Sequence, residues 1–166
     1  MLMAQITMST ITDQPEKTSG VLVPPPLLYL GGLGLGLALD RRFNTPKVPP
    51  SVGRPIGAAL VVGGGVLAAR FVGAFRRANT AIDLRKPSTS LVTSGPYRFT
   101  RNPGYLSLTV MYLGATVAVG GVCSLATLVP VLVTMDRYVI RREEEYLSER
   151  FGSDYRAYQA SVGRWL

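Results

Sequence analysis

The sequence predicts an all-α polytopic membrane protein, about four transmembrane helices followed by cytoplasmic amphipathic helices. Three observations carry that prediction. Hydrophobic residues make up 47% of the 166-residue chain and charged residues only 17%, and mean hydropathy is positive at +0.23. The charges are bunched: residues 56–69 carry none, and neither do residues 102–135. The basic residues gather beside those runs, as Arg41, Arg42, Lys47 and Arg54, then Arg76, Arg77, Arg85, Lys86, Arg98 and Arg101. A soluble domain of this size needs a polar shell, whereas a span needs about 20 apolar residues.

Residues 1–20 lack a basic segment ahead of the first apolar stretch, so they read as a disordered tail rather than a cleaved signal. Residues 21–90 then read as two transmembrane helices with basic loops. The first span, 21–39, opens on Pro24, Pro25 and Pro26, which a helix tolerates only near its start. Its glycines at 31, 32, 34 and 36 suggest close helix contact. A proline-rich basic connection leads to a second span at 55–75, with Pro55 suited to a first turn. Arg70 falls in the last third of this span, where it either snorkels to headgroups or faces a site.

The uncharged run 102–135 is too long for one span, and Gly120–Gly121 offers a turn inside it. The prediction is a tight helical hairpin, 105–119 and 122–140, with Pro130 kinking the second arm and Asp136 and Arg137 marking its exit. Beyond it, Ile140, Leu147, Phe151, Tyr155, Tyr158 and Val162 recur near helical spacing, an amphipathic stripe. Gly152 breaks or bends this helix, with Ser153 capping the second piece. Glu143 and Glu144 flank the stripe, while Glu145 and Glu149 point away from it. Residues 74–105 hold six basic residues against Asp83, which places that loop and both ends of the hairpin in the cytoplasm. The loop at 40–55 is also basic, but its excess is smaller, and four spans put it outside.

Several functions are excluded cheaply. The net charge is +8, but the basic residues lie beside apolar runs, which suits anionic membrane lipid rather than nucleic acid. The protein has no histidine, which removes histidine metal sites, Ser-His-Asp triads and a histidine base. Cys123 is the single cysteine, so neither an intrachain disulfide nor a cysteine metal cage can form, and no metal is expected.

The chemistry gathers in two clusters, "GPYRFTRNPGY" before the hairpin and "RREEEY" after it. A hairpin brings its ends together, so arginines, carboxylates and tyrosines meet there over an apolar floor. Taken alone, arginines and tyrosines at a membrane interface are more often anchors, and the charges of "RREEE" paired on a solvated face.

"GPYRFTRNPGYL", an apolar hairpin, "EE" and then "FGSDYRAYQASVGRWL" together resemble the isoprenylcysteine carboxyl methyltransferase and phospholipid methyltransferase family of integral-membrane enzymes. The resemblance covers about residues 91–166, which become the methyltransferase core. It implies S-adenosyl-L-methionine as methyl donor, bound at the cytoplasmic face without a Rossmann domain, and a lipid-like substrate. By position, Tyr97, Arg101, Asn102, Pro103 and Tyr105 would line the cofactor pocket. Glu143 and Glu144 match the family's paired glutamates, one of which would hold the cofactor's amino or ribose groups. Arg101 and Glu144 would be the catalytic pair; Arg101, or Arg141 or Arg142 by proximity, would orient an anionic acceptor.

Asn102 stands where eukaryotic members have histidine, and an amide hydrogen-bonds but takes up no proton. A carboxylate acceptor such as an isoprenylcysteine-type C-terminus is already ionised at neutral pH and needs alignment and desolvation rather than a base. A thiol acceptor fits as its thiolate, while a phospholipid amine or a hydroxyl would need a proton removed. Two rival readings stand beside this one. Membrane sterol-type reductases that use NADPH carry a similar Arg-His-Pro element, and a non-catalytic adaptor would use its basic loops on anionic lipid.

Overall fold

The computed structural model describes residue 20 and residues 23–78 and 90–166. The expected tail up to residue 19 and the loop charges Asp83, Arg85 and Lys86 lie outside the described residues. Among those described there is no strand.

Helix α1 is Pro25–Phe43, with Pro24 as its N-cap and Asn44 closing it in a left-handed conformation. It begins later and ends later than the uncharged run. The prolines delay its start, while Asp40, Arg41 and Arg42 are good residues for a last turn and do not stop it. Helix α2 is Pro50–Arg77, so Pro50 rather than Pro55 takes the first-turn position and Pro55 sits inside the helix. Its missing N–H would have met the carbonyl of Ser51, close enough to the helix start for the loss to be small. Helix α3 is Pro103–Val119 and α4 is Val122–Thr134. The expected turn lies between them, with Gly120 in the left-handed region at φ 71°.

Pro130 does not end α4. Five residues beyond it the backbone widens into a π-helical segment, Met135–Ile140, which runs directly into α5, Arg141–Ser161. A π turn inserts an extra residue and so rotates the faces of everything after it. Gly152 interrupts α5 with φ 54° and ψ −119°, a backbone that side-chain-bearing residues rarely adopt. The break expected at this glycine is therefore present, and Val162 falls beyond the helix rather than on its stripe.

Helix α2 runs along α3, and α1 along α4. The arms of the hairpin thus pack mainly against the two preceding helices rather than each other. Small residues make this possible. A Cβ on Gly57 would collide with the Gly114 carbonyl and Ala118, and one on Gly64 with Met111 and the Ser107 carbonyl. On α1, Gly32 and Gly36 meet Val131 and Ser124 of α4, whereas Gly31 and Gly34 face open space. Only the two glycines one turn apart are needed for contact. Replacing Gly57 with valine should therefore destabilise the bundle by roughly 2 kcal/mol through overpacking, read by denaturant unfolding in detergent. Gly63, where a Cβ meets nothing within 4 Å, is the control; an equal loss in Gly63→Ala would refute close contact as the cause.

The core joins Tyr29, Tyr112, Leu128, Val131, Met135 and Val139. Its hydroxyls are satisfied internally: Tyr29 meets Thr109 at 2.9 Å, and Tyr112 donates to the Ser124 carbonyl at 3.0 Å. That is what an apolar solvent requires. Large side chains such as Leu30, Val62, Val66, Val129 and Val133 are exposed. Two helices, Pro50–Arg77 and the continuous Val122–Ser161, are long and apolar enough to cross a membrane. Only 11% of the apolar window of the first is buried, so it is not the core helix of a soluble domain. Helix Pro103–Val119 is apolar but shorter.

Candidate active site

The start of α3, the far end of the π segment and the C-terminal residues converge at one end of the bundle. Gly95, at φ 64°, lets the backbone enter a short 3-10 turn, Gly95–Arg98. Residues 100–102 then lie against the C-terminal segment: the Arg101 N–H donates to the Gly163 carbonyl at 2.9 Å. Asn102 Nδ2 and Thr100 Oγ1 both donate to the Arg164 carbonyl, at 2.9 and 3.1 Å. From α5, Tyr158 donates its hydroxyl to the Tyr97 carbonyl at 2.7 Å.

The two glutamates have separate environments. Glu144 faces two arginines: Arg101 Nη1 lies 2.9 Å from its Oε1, and Arg164 donates from Nε and Nη2 at 3.1 and 2.6 Å. Arg164 also reaches Asp136 at 3.0 Å, and its guanidinium is held above its ordinary pKa, chiefly by its hydrogen bonds to Glu144. Glu143 has no such cation among the described residues. It accepts the Tyr105 hydroxyl at 2.9 Å. Burial, reinforced by the Glu144 charge and opposed by the Tyr105 hydrogen bond, pushes its carboxyl up to about 7. Burial likewise raises the Tyr97 and Tyr158 phenols and pushes Tyr155 up to about 12.

Tyr97, Arg101, Asn102, Glu143 and Glu144 line one cavity, closed by Val92, Leu147, Tyr155 and Tyr158. Its free volume is about 40 Å³, room for a few waters. Arg101 Nε and Nη1 are buried there without an aligned hydrogen-bond acceptor; the contact to Glu144 is ionic rather than a directed bond. Nε has neither kind of contact, and a buried donor of that sort suits a ligand acceptor. Beside Arg101 stands Glu143, a carboxylate with no ion-pair partner among the described residues. The pair is complementary to the carboxylate and ammonium of an amino-acid head, and on that chemistry the residues fit S-adenosyl-L-methionine. A ligand of several hundred Å³ needs the walls to part.

Of the residues singled out from the sequence, Tyr105 reaches the cavity through Glu143, while Pro103 is fully buried and starts α3. Asn102 spends its amide N–H on the C-terminal segment. Arg141 is exposed and pairs with Glu145, and Arg142 stacks on Tyr138 at 4.3 Å and donates to the Gly20 carbonyl. Neither lines the cavity. Sequence reasoning missed Arg164 and gave Asp136 only a boundary role. Arg164 lies inside the "SVGRWL" ending, but its partner Glu144 is far away along the sequence and no spacing pairs them.

A protein of Haemophilus influenzae described as uncharacterized is 36% identical over 62 residues, 37% of this chain and 98% of that protein. No solved structure matches. The family model for phospholipid methyltransferases matches residues 53–154, from the first turn of α2 through the paired glutamates to just past the Gly152 break. With the motif order before and after the hairpin, that match establishes that the chain belongs to the phospholipid methyltransferase family.

Proposed function

We propose that the protein is an S-adenosyl-L-methionine-dependent methyltransferase of four transmembrane helices, its cavity facing the cytoplasm and its acceptor a lipid-like carboxylate. The observation that carries this reading is the cavity that sets Arg101, whose buried Nε has no hydrogen-bond acceptor, beside the Glu143 carboxylate. Arg101 would hold the donor's carboxylate and Glu143 its ammonium, with Glu144 keeping Arg101 in place as a positioning residue. The donor supplies a methyl group on a sulfonium. The protein's part is to bind, align and exclude water. The basic excess at this end of the bundle supports the cytoplasmic orientation.

Calorimetric titration of the protein in detergent should give heat with S-adenosyl-L-methionine and none with NADPH; the reverse would sink the reading. The affinity should also depend on pH. A cation needs Glu143 ionised, and a group titrating at about 7 loses roughly tenfold of its ionised share between pH 8 and pH 6. Donor affinity should therefore fall about tenfold over that interval, and a flat profile removes Glu143 from the donor site.

Glu143 supports one second reading. A carboxylate that titrates near neutrality can also accept a proton, which restores a phospholipid amine as acceptor despite the absence of histidine. Glu143→Gln separates the two. Raised KM for the donor at nearly constant kcat favours the first reading, and lost kcat at constant KM favours the second.

A further inference from the structure

The 3-10 turn has a second face. Tyr97, Arg101 and Asn102 line the cavity, but Pro96, Arg98, Phe99 and Thr100 line a groove of about 920 Å³ shared with α2. Gly95 approaches Ala74 of α2 at this seam, which sets Arg98 opposite Arg70 and Arg77. Those two are seven residues apart on α2, hence on one face and about 10 Å apart along its axis. All three arginines line the groove, and among the described residues none of them has an ion-pair partner. Apart from Thr100 the rest of the lining is apolar, and Val66, Phe99 and Leu166 are 50%, 75% and 90% exposed. Gly73 adds depth to the groove, since a Cβ there would meet nothing within 4 Å.

Unpaired guanidiniums above an open apolar floor, at the end of a helix apolar enough to span, complement one kind of molecule. We infer that this groove is a discrete binding site for an anionic phospholipid of the bilayer, its phosphate held by Arg70, Arg77 and Arg98 and an acyl tail lying along α2 and Phe99. Guanidinium forks suit phosphate oxygens, and the exposed apolar side chains suit the tail below. The inference does not rest on methyl transfer, because the groove and the cavity lie on opposite faces of the same turn.

Trp165 is the single tryptophan and precedes the groove residue Leu166, so its fluorescence reports occupancy in the full-length protein. The protein is reconstituted into vesicles of phosphatidylcholine, with a tail-brominated quencher added as either phosphatidylglycerol or phosphatidylcholine. The brominated anionic lipid should quench Trp165 at lower mole fraction, and the preference should fall about fivefold for each arginine removed. Arg98→Gln, in an exposed turn, is the variant that perturbs folding least; the triple variant with Arg70→Gln and Arg77→Gln extends it. Arg156→Gln removes an exposed charge outside the groove and should leave the preference intact. Equal quenching by the two lipids, an equal loss in Arg156→Gln, or a preference retained in Arg98→Gln would overturn the site. So would its complete displacement by inorganic phosphate at constant ionic strength, which would assign the arginines to a free anion.

Discussion

Glu144→Gln is expected to cost about 3 kcal/mol of stability and to abolish donor binding. The Glu144 side chain is 14% exposed and balances Arg101, itself 13% exposed, together with Arg164. Removing its charge leaves Arg101 buried with nothing to neutralise it, and breaking such a pair costs more than the pair contributes. The damage also spreads. Arg164 is the residue whose carbonyl holds Asn102 and Thr100, so releasing its side chain loosens the seam between the turn and the C-terminus. Denaturant unfolding and donor titration on the same preparation read both effects. Glu145→Gln is the comparison: its pair with Arg141 is 61% and 72% exposed and should contribute almost nothing. If Glu144→Gln keeps both its midpoint and its affinity, the network is not what organises the cavity.

Asp40→Ala is expected to destabilise the protein by about 2–3 kcal/mol while sparing donor affinity in the folded fraction. Asp40 lies at the opposite end of the bundle, in the last turn of α1. Its carboxylate accepts the Cys123 and Ser124 N–H groups at 2.8 and 3.0 Å and the Ser124 and Thr45 hydroxyls at 2.5 and 2.7 Å. The N-cap residue of α4 supplies no capping hydrogen bond of its own, so a residue of α1 caps the helix from across the bundle. Alanine would leave those N–H groups without their acceptor at the start of α4. Asn should recover part of the loss, because its carbonyl oxygen still accepts. A stability unchanged in Asp40→Ala would refute the cap, and an affinity lost with the fold intact would refute the separation of the two ends.

The contrast between these sites shows how far reading alone reaches. The hairpin was legible because 102–135 is uncharged and Gly120–Gly121 interrupts it, both local facts. The meeting of "GPYRFTRNPGY" with the paired glutamates followed from that hairpin, and the Tyr105–Glu143 and Arg101–Glu144 contacts realise it. Pro55 misled because Pro50, five residues earlier, satisfies the same first-turn preference, and helix starts are settled by whichever proline the preceding segment allows. Asp40 was invisible as a cap because its partners, Cys123 and Ser124, lie in another helix. Asn102 read as a ligand contact; it lines the cavity, and its amide N–H also meets the Arg164 carbonyl, a partner the docked C-terminus supplies.

By itself the sequence determined the helical class, the hairpin, the break at Gly152 and the family, because hydropathy, glycine and proline act on their immediate neighbours. The tertiary structure decided which helix packs on which, through Gly57 against Gly114 and Gly36 against Ser124. It also decided how the glutamates differ. Glu143 and Glu144 are adjacent and chemically identical, yet one is neutralised by two arginines and the other, buried beside Tyr105, titrates near neutrality. The pair differs because Glu144 faces Arg101 and Arg164 while Glu143 accepts the Tyr105 hydroxyl. Charge state depends on what surrounds a group in space, and those three residues come together only in the folded protein.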